Sequence, residues 1–204
     1  FIGAGHAVAC VNGSAALHAC LLLAGTEAGN EVIMPALTFV GTANAAAGMG
    51  AIPHFADSEE RTLGLNPENL DAHLSANSEI TNDGCINKNT GRKIAACVPV
   101  HTFGHPVDLD PLVEVCRKFR LTLIEDAAES LGSYYKDRHT GNHGLLAALS
   151  FNGNKTITTG GGGAIITNDA ELAVKAKHRT TTAKVAHKWE HRHGRIGFNY
   201  RLPN

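Results

Sequence analysis

Lys155 stands in Ser150-Phe-Asn-Gly-Asn-Lys155-Thr-Ile-Thr-Thr-Gly-Gly-Gly-Gly163, an amine set between small polar residues and a glycine run. Glycine allows close backbone approach or positive φ. A lysine crowded into such a polar cleft can attack a carbonyl and form a Schiff base. A surface lysine in a flexible loop is the plainer reading of the same segment. Asp126 ends the apolar run Leu123-Ile-Glu-Asp-Ala-Ala, so its carboxylate either meets a ligand at a sheet edge or caps a helix beginning at Ala127. In Asn12-Gly13-Ser14-Ala15-Ala16, glycine permits a tight turn and serine places a hydroxyl at a helix N-terminus. Free amides and the helix dipole there favour a phosphate, although an ordinary serine cap needs none.

Other chemistries fit less well. The chain has 12 histidines but neither HExxH nor a paired CxxC, and basic residues interleave in His187-Lys-Trp-Glu-His191-Arg-His193, so a metal site is not expected. No G-x-S-x-G elbow supports a Ser-His-Asp hydrolase. Gly3-Ala4-Gly5 precedes the first strand instead of following it, which sets aside a nicotinamide-dependent reductase. His101 and His105, on either side of Phe103-Gly104, are expected to line the same cleft in a structural hydrogen-bonding role.

The elements that must position these residues follow from periodicity and breakers. A strand over 6–11, the Asn12-Gly13-Ser14 turn and a buried helix over 15–23 give strand, turn, helix. The pattern repeats with strands at 31–34 and 51–55 around a helix over 42–48. A helix capped by Asn66 with Pro67 in its first turn comes next. Further strands are expected at 94–98, 121–124, 148–151 and 164–167, with helices over 109–119 and 169–180. The segment 78–93, rich in Asn, Thr, Asp and Gly, reads as a mobile surface loop. Short apolar strands alternating with helices define an α/β domain with a mostly parallel sheet. Its ligands belong beyond the carboxyl ends of the strands, where Ser14, Asp126 and the segment after Phe151 fall.

The 204 residues are 43% hydrophobic and 18% charged, which excludes disordered, collagen-like and coiled-coil classes. A net charge of −1 gives no reason for wholesale attraction to nucleic acid or membrane. Charge is uneven, however. No Lys or Arg precedes Arg61, whereas Lys175, Lys177, Arg179, Lys184, Lys188, Arg192, Arg195 and Arg201 face only Glu171 and Glu190. That stretch reads as a solvated helix followed by a loop meeting anionic partners, with nucleic-acid binding as the alternative. Five unclustered cysteines read as reduced core thiols of a cytoplasmic protein. The apolar stretch 6–24 is broken at Asn12-Gly13-Ser14 and lacks a basic n-region, so neither a membrane span nor a signal peptide is expected. The start at Phe1 and the unclosed end point to an excerpt of a longer protein.

Six segments in order carry a resemblance across essentially the whole chain: Asn12-Gly-Ser-Ala-Ala-Leu-His18, Met34-Pro-Ala-Leu-Thr-Phe39, Val100-His-Thr-Phe-Gly-His-Pro-Val-Asp108, Ile124-Glu-Asp-Ala-Ala-Glu-Ser-Leu-Gly132, Ser150-Phe-Asn-Gly-Asn-Lys155 and Gly197-Phe-Asn-Tyr-Arg201. Together they resemble the DegT/DnrJ/EryC1/StrS sugar aminotransferases, pyridoxal-phosphate enzymes of fold type I. The run after Ser150 and Thr180-Thr-Thr-Ala-Lys-Val-Ala-His-Lys-Trp189 are similar to the LegC-like branch of legionaminic acid pathways, with perosamine synthases as neighbours.

The resemblance implies a three-layer α/β/α large domain with a mostly parallel mixed sheet, of which residues 1–204 form part, and a small C-terminal domain lying outside this chain. It implies pyridoxal 5'-phosphate held by Lys155 as Schiff base and proton shuttle. Asp126 would sit on the pyridine nitrogen, Phe39 on the ring face, and Ser14, the amides of Gly13 and Ala15, and Ser150 on the phosphate. Asn199 would reach the phosphate of a neighbouring subunit, which requires a homodimer. Glu129 occupies a position where many members carry Gln against the phenolic oxygen. The implied reaction moves an amino group from L-glutamate to C4 of a nucleotide-linked 4-keto-6-deoxy sugar. Lysine at 155 sets aside the relatives that carry histidine there and dehydrate sugars. GDP-perosamine synthesis, or a non-catalytic cofactor-binding regulatory role, is the alternative.

Overall fold

The computed structural model describes residues 1–202. Strand β1 (His6–Cys10) runs into helix α1 (Gly13–Leu23), β2 (Glu31–Pro35) into α2 (Val40–Ala47), and β3 (Ile52–Ala56) leads to α3 (Pro67–Asn77). A hairpin of β4 (Ser78–Thr81) and β5 (Gly84–Asn87) precedes β6 (Lys93–Cys97), α4 (Leu109–Lys118) and β7 (Thr122–Asp126). A small hairpin, β8 (Tyr134–Tyr135) with β9 (Arg138–His139), is followed by β10 (Leu146–Ser150), β11 (Gly163–Thr167) and α5 (Ala170–Thr180).

The main sheet runs β1-β11-β10-β7-β6-β2-β3, with β5 also paired to β6. Its centre, β10-β7-β6-β2-β3, is parallel throughout. β11 is antiparallel to both β10 and β1, so β1 points the same way as β10. Residues Cys10, Pro35, Asp126 and Ser150 therefore all end at one edge of the sheet.

Alternation along the strands makes the three layers, because successive side chains point to opposite faces. Val32, Met34, Ala96, Ile124 and Ala148 pack with residues of α1, α2 and α5 on one face. Ile33, Cys97 and Leu123 pack with Leu70 and Leu74 of α3 and Leu109 and Leu112 of α4 on the other. On that second face, beside β10 and β11, Ile2 and Ala4 of the N-terminal segment cover Ala147, Leu149 and Ile166 in place of a helix. The strands buried on both faces read as continuous apolar runs for this reason.

Two expectations are corrected. Segment 78–93 is not a loop: Thr81 pairs with Gly84 across a two-residue turn, and Cys85 and Asn87 are buried. Its polar composition reflects the turn residues, while along β5 Cys85 and Asn87 alternate into the interior and Gly84 and Ile86 are only partly covered. Helix α2 begins at Val40, with Phe39 at its N-cap, two residues before the expected start. That shift brings Thr42 into the first helical turn. No helix among the described residues is long and apolar enough to cross a membrane.

Candidate active site

The first wall of the site is the N-terminus of α1. Asn12 caps it, its side chain accepting from the amide of Ala15 at 2.8 Å. A Cβ on Gly13 would stand 2.8 Å from the Ser150 Cβ, and one on Gly163 would stand 2.4 Å from the Asn12 carbonyl carbon. Both glycines are therefore what lets the helix start press onto the ends of β10 and β11. The first amides of a helix have no acceptor within it, and Gly13 and Ser14 border a cleft that Phe39, Thr42, Asp126, Ser150 and Lys155 also line. The amide of Ala15, expected on a phosphate, donates here to the Asn12 cap.

Lys155 is carried by the loop after β10 and its side chain is 11% exposed. Its Nζ donates to Glu129 Oε1 at 2.9 Å, and Glu129 Oε2 accepts from the amide of Phe103 at 3.0 Å. The same ammonium lies 5.7 Å from the centroid of the Phe39 ring, a cation–π distance. Phe39 is 68% exposed, an uncovered aromatic face at the mouth of a polar cleft. Glu129 thus holds the amine directly.

Asp126 is the last residue of β7 and is buried. One carboxylate oxygen accepts from Thr42 Oγ1 at 2.7 Å and the other from the amide of Ala128 at 3.2 Å. Burial pushes its carboxyl above the usual range, opposed by the hydrogen bonds from Thr42 and Ala128. Thr38 Oγ1 donates to Thr42 Oγ1 at 3.1 Å, which ties the Phe39 loop to Asp126. Thr42 went unnoticed in the sequence because a helix starting at 42 made it a terminal residue. Placed one turn in from Phe39, it would have pointed at the sheet.

The histidines expected in the cleft are elsewhere. His101 is fully buried, its Nδ1 accepting from the amide of Val107 at 3.3 Å and its Nε2 facing Glu125 Oε2 at 3.0 Å. Glu125 also accepts from the amides of Gly141, His143 and Gly144 at 2.6–2.7 Å. Side-chain alternation along β7 puts Glu125 on the face opposite Asp126, so it anchors the loop that leads into β10. His105 is exposed at the surface. Neither borders the cleft.

Asn199 lies outside this cleft. It is exposed, pairs through a β-bridge with Thr181 and accepts from Arg201 Nε at 3.3 Å. The neighbouring Tyr200 carbonyl accepts from the amide of Val11 at 2.8 Å, and its hydroxyl meets His18 at 3.0 Å, which fastens the C-terminal strap beside α1.

Comparisons with known proteins agree with this geometry. The model of the DegT/DnrJ/EryC1/StrS aminotransferase family matches residues 1–204. A GDP-perosamine synthase from Caulobacter vibrioides is 38% identical over 204 residues, 100% of this chain and 50% of that protein. A DegT DnrJ EryC1 StrS aminotransferase from Brucella abortus superposes with a TM-score of 0.88 at 33% identity, covering 98% of this chain and 51% of its own. NtdA from Bacillus subtilis, solved with bound cofactor PMP, gives a TM-score of 0.82 at 26% identity, covering 98% of this chain and 42% of its own. The chain spans about half the length of these relatives. Matched along its whole length and in its fold, it belongs to the DegT/DnrJ/EryC1/StrS aminotransferase family.

Proposed function

We propose that the chain is part of the large domain of a pyridoxal-phosphate-dependent aminotransferase that passes an amino group from L-glutamate to C4 of a nucleotide-linked 4-keto-6-deoxy sugar. The observation that carries this reading is the meeting of Lys155, Asp126 and the open end of α1 in one cleft. The donor set fits the cofactor on its own chemistry. The open end of α1 at Gly13 and Ser14 and the hydroxyl-bearing Ser150 line one part of the cleft that Lys155 and Asp126 share. A phosphate fits there.

Bound pyridoxal phosphate supplies a carbonyl for an amine and an electron sink for the carbon that loses a proton. The chain's own groups do the rest. Lys155 would provide the amine that holds the cofactor and would move a proton at the substrate carbon. Glu129 holds that amine at 2.9 Å and keeps it beside Phe39. Asp126, oriented by Thr42, would hold a proton on the ring nitrogen through its carboxylate. Gly13, Ser14 and Ser150 would hold the phosphate, and Phe39 would cover the ring.

Similarity of the segment 180–189 to the LegC-like branch supports a place in nonulosonic acid synthesis, and 38% identity to a GDP-perosamine synthase favours the second reading, perosamine formation. Asn199, exposed and not among the residues lining its own cleft, supports a homodimer in which each subunit completes the other's site. Five free, buried cysteines support a reducing, cytoplasmic setting. The test is to load the protein with pyridoxal phosphate and add L-glutamate. The visible cofactor band is expected to bleach and to recover with a 4-keto nucleotide sugar. A band that glutamate leaves unchanged overturns the transaminase reading, and recovery with a GDP-linked but not a UDP-linked sugar selects perosamine formation.

A further inference from the structure

At the edge of the sheet, outside the cleft of Lys155, two imidazoles from separate elements face one another. His54 on β3 and His73 on α3 bring their Nε2 atoms to 3.1 Å. Glu31 at the start of β2 is buried and accepts from His54 Nδ1 at 2.7 Å, from Asn87 Nδ2 at 2.8 Å and from Thr90 Oγ1 at 2.6 Å. All three donors point at its carboxyl oxygens, so Glu31 serves as an acceptor toward His54. A carboxylate only accepts, which fixes the His54 proton on Nδ1 and leaves its Nε2 lone pair aimed at His73.

We propose that His54 and His73 form a two-histidine site for a late first-row divalent metal ion of the zinc or nickel class. Two nitrogens bound to one tetrahedral zinc at about 2.0–2.1 Å stand about 3.3–3.4 Å apart, within a few tenths of an ångström of the separation here. Metal-binding histidines almost always give their other ring N–H to a carboxylate or carbonyl, and Glu31 takes that part for His54. The His73 tautomer is held only by a 3.4 Å contact from Asn77 Nδ2 to Nδ1, so the ring proton can move through water from Nε2 to Nδ1 at the loss of that contact, which frees the Nε2 lone pair for the metal. No third His, Cys, Asp or Glu closes the site among the described residues, so water completes the shell and the affinity is modest. Bound metal would tie the edge strand β3 to α3, and through Glu31 and Asn87 to the β4–β5 hairpin.

The experiment titrates metal-free purified protein with Zn2+ and with Ni2+ by calorimetry and follows the melting temperature in parallel. Wild type is expected to take up one ion at this site and melt higher, while His73→Gln, a change at an exposed residue, weakens that binding at least about tenfold and cancels the rise. The double change His191→Gln and His193→Gln, on the distant surface strap, is expected to leave both effects intact. Far-UV circular dichroism and the melting temperature in EDTA check that each variant is folded. Binding by His73→Gln equal to wild type, or no saturable uptake by wild type, overturns the proposal and leaves the pair a neutral hydrogen bond. The proposal stands or falls independently of the transaminase reading.

Discussion

Asp126 is a carboxylate that the fold holds at a cost. Burial raises its pKa, so the folded state binds the proton more tightly than the unfolded chain does. The group's contribution to stability is therefore best below its unfolded pKa and worsens as pH rises through the ordinary carboxylate range to the raised folded value. Asp126→Asn is expected to raise the melting temperature of the cofactor-free protein at pH 7 and to leave it unchanged in strong acid, while cofactor retention falls. Thermal melts at both pH values, with and without pyridoxal phosphate, check both signs. Glu125 next to it runs the other way. Burial raises its pKa but His101 and the amides of Gly141 and Gly144 lower it further. Its stabilisation is present above the ordinary Glu pKa and is lost as pH falls through the depressed folded value. Glu125→Gln is expected to cost about 1–3 kcal/mol at pH 7, since the Gln amide nitrogen would face buried donors that the carboxylate now accepts from. Denaturant melts should show the gap to wild type narrowing in acid.

Among the elements, the strand-to-helix junctions decide the site. The meeting of Lys155, Asp126, Ser14 and Ser150 in one cleft is legible in the sequence because each lies at or just after the end of a strand, inside a short string whose glycines and hydroxyls mark the junction. Thr42 and Glu125 were not readable in their roles, because their partners lie far along the chain: Thr42 meets Asp126 across 84 residues. The hairpin at 78–87 was hidden for another reason. Its Asn, Thr, Asp and Gly signal turns, and pairing to β6 overrides that local preference. Gly163→Ala probes the junction most directly. Its Cβ would press on the backbone of Asn12, so a loss of about 1–3 kcal/mol is expected in denaturant melts. Moving Asn12 would also disturb the first amides of α1, so cofactor affinity should fall together with stability.

For the molecule as a whole, the alternation of apolar strands and helices made the α/β class and the sheet edge legible in advance. Strand order was not, because β11 inserts between β1 and β10 as an antiparallel strand, and nothing local to 163–167 announces its neighbours. The chain spans about half the length of its relatives, and the strap carrying Asn199 lies outside its own cleft. If each subunit completes its partner's site, specific activity should fall on dilution in step with the dimer population, measured by light scattering on the same samples. Asn199→Ala should weaken cofactor binding without changing Lys155 chemistry. Constant activity in a purely monomeric sample would contradict the shared site. The central claim is that Lys155 carries the cofactor, and reduction of the loaded protein with borohydride followed by peptide mapping tests it most directly. The account predicts a phosphopyridoxyl group on Lys155 alone; a label on any other lysine, or none, would contradict it.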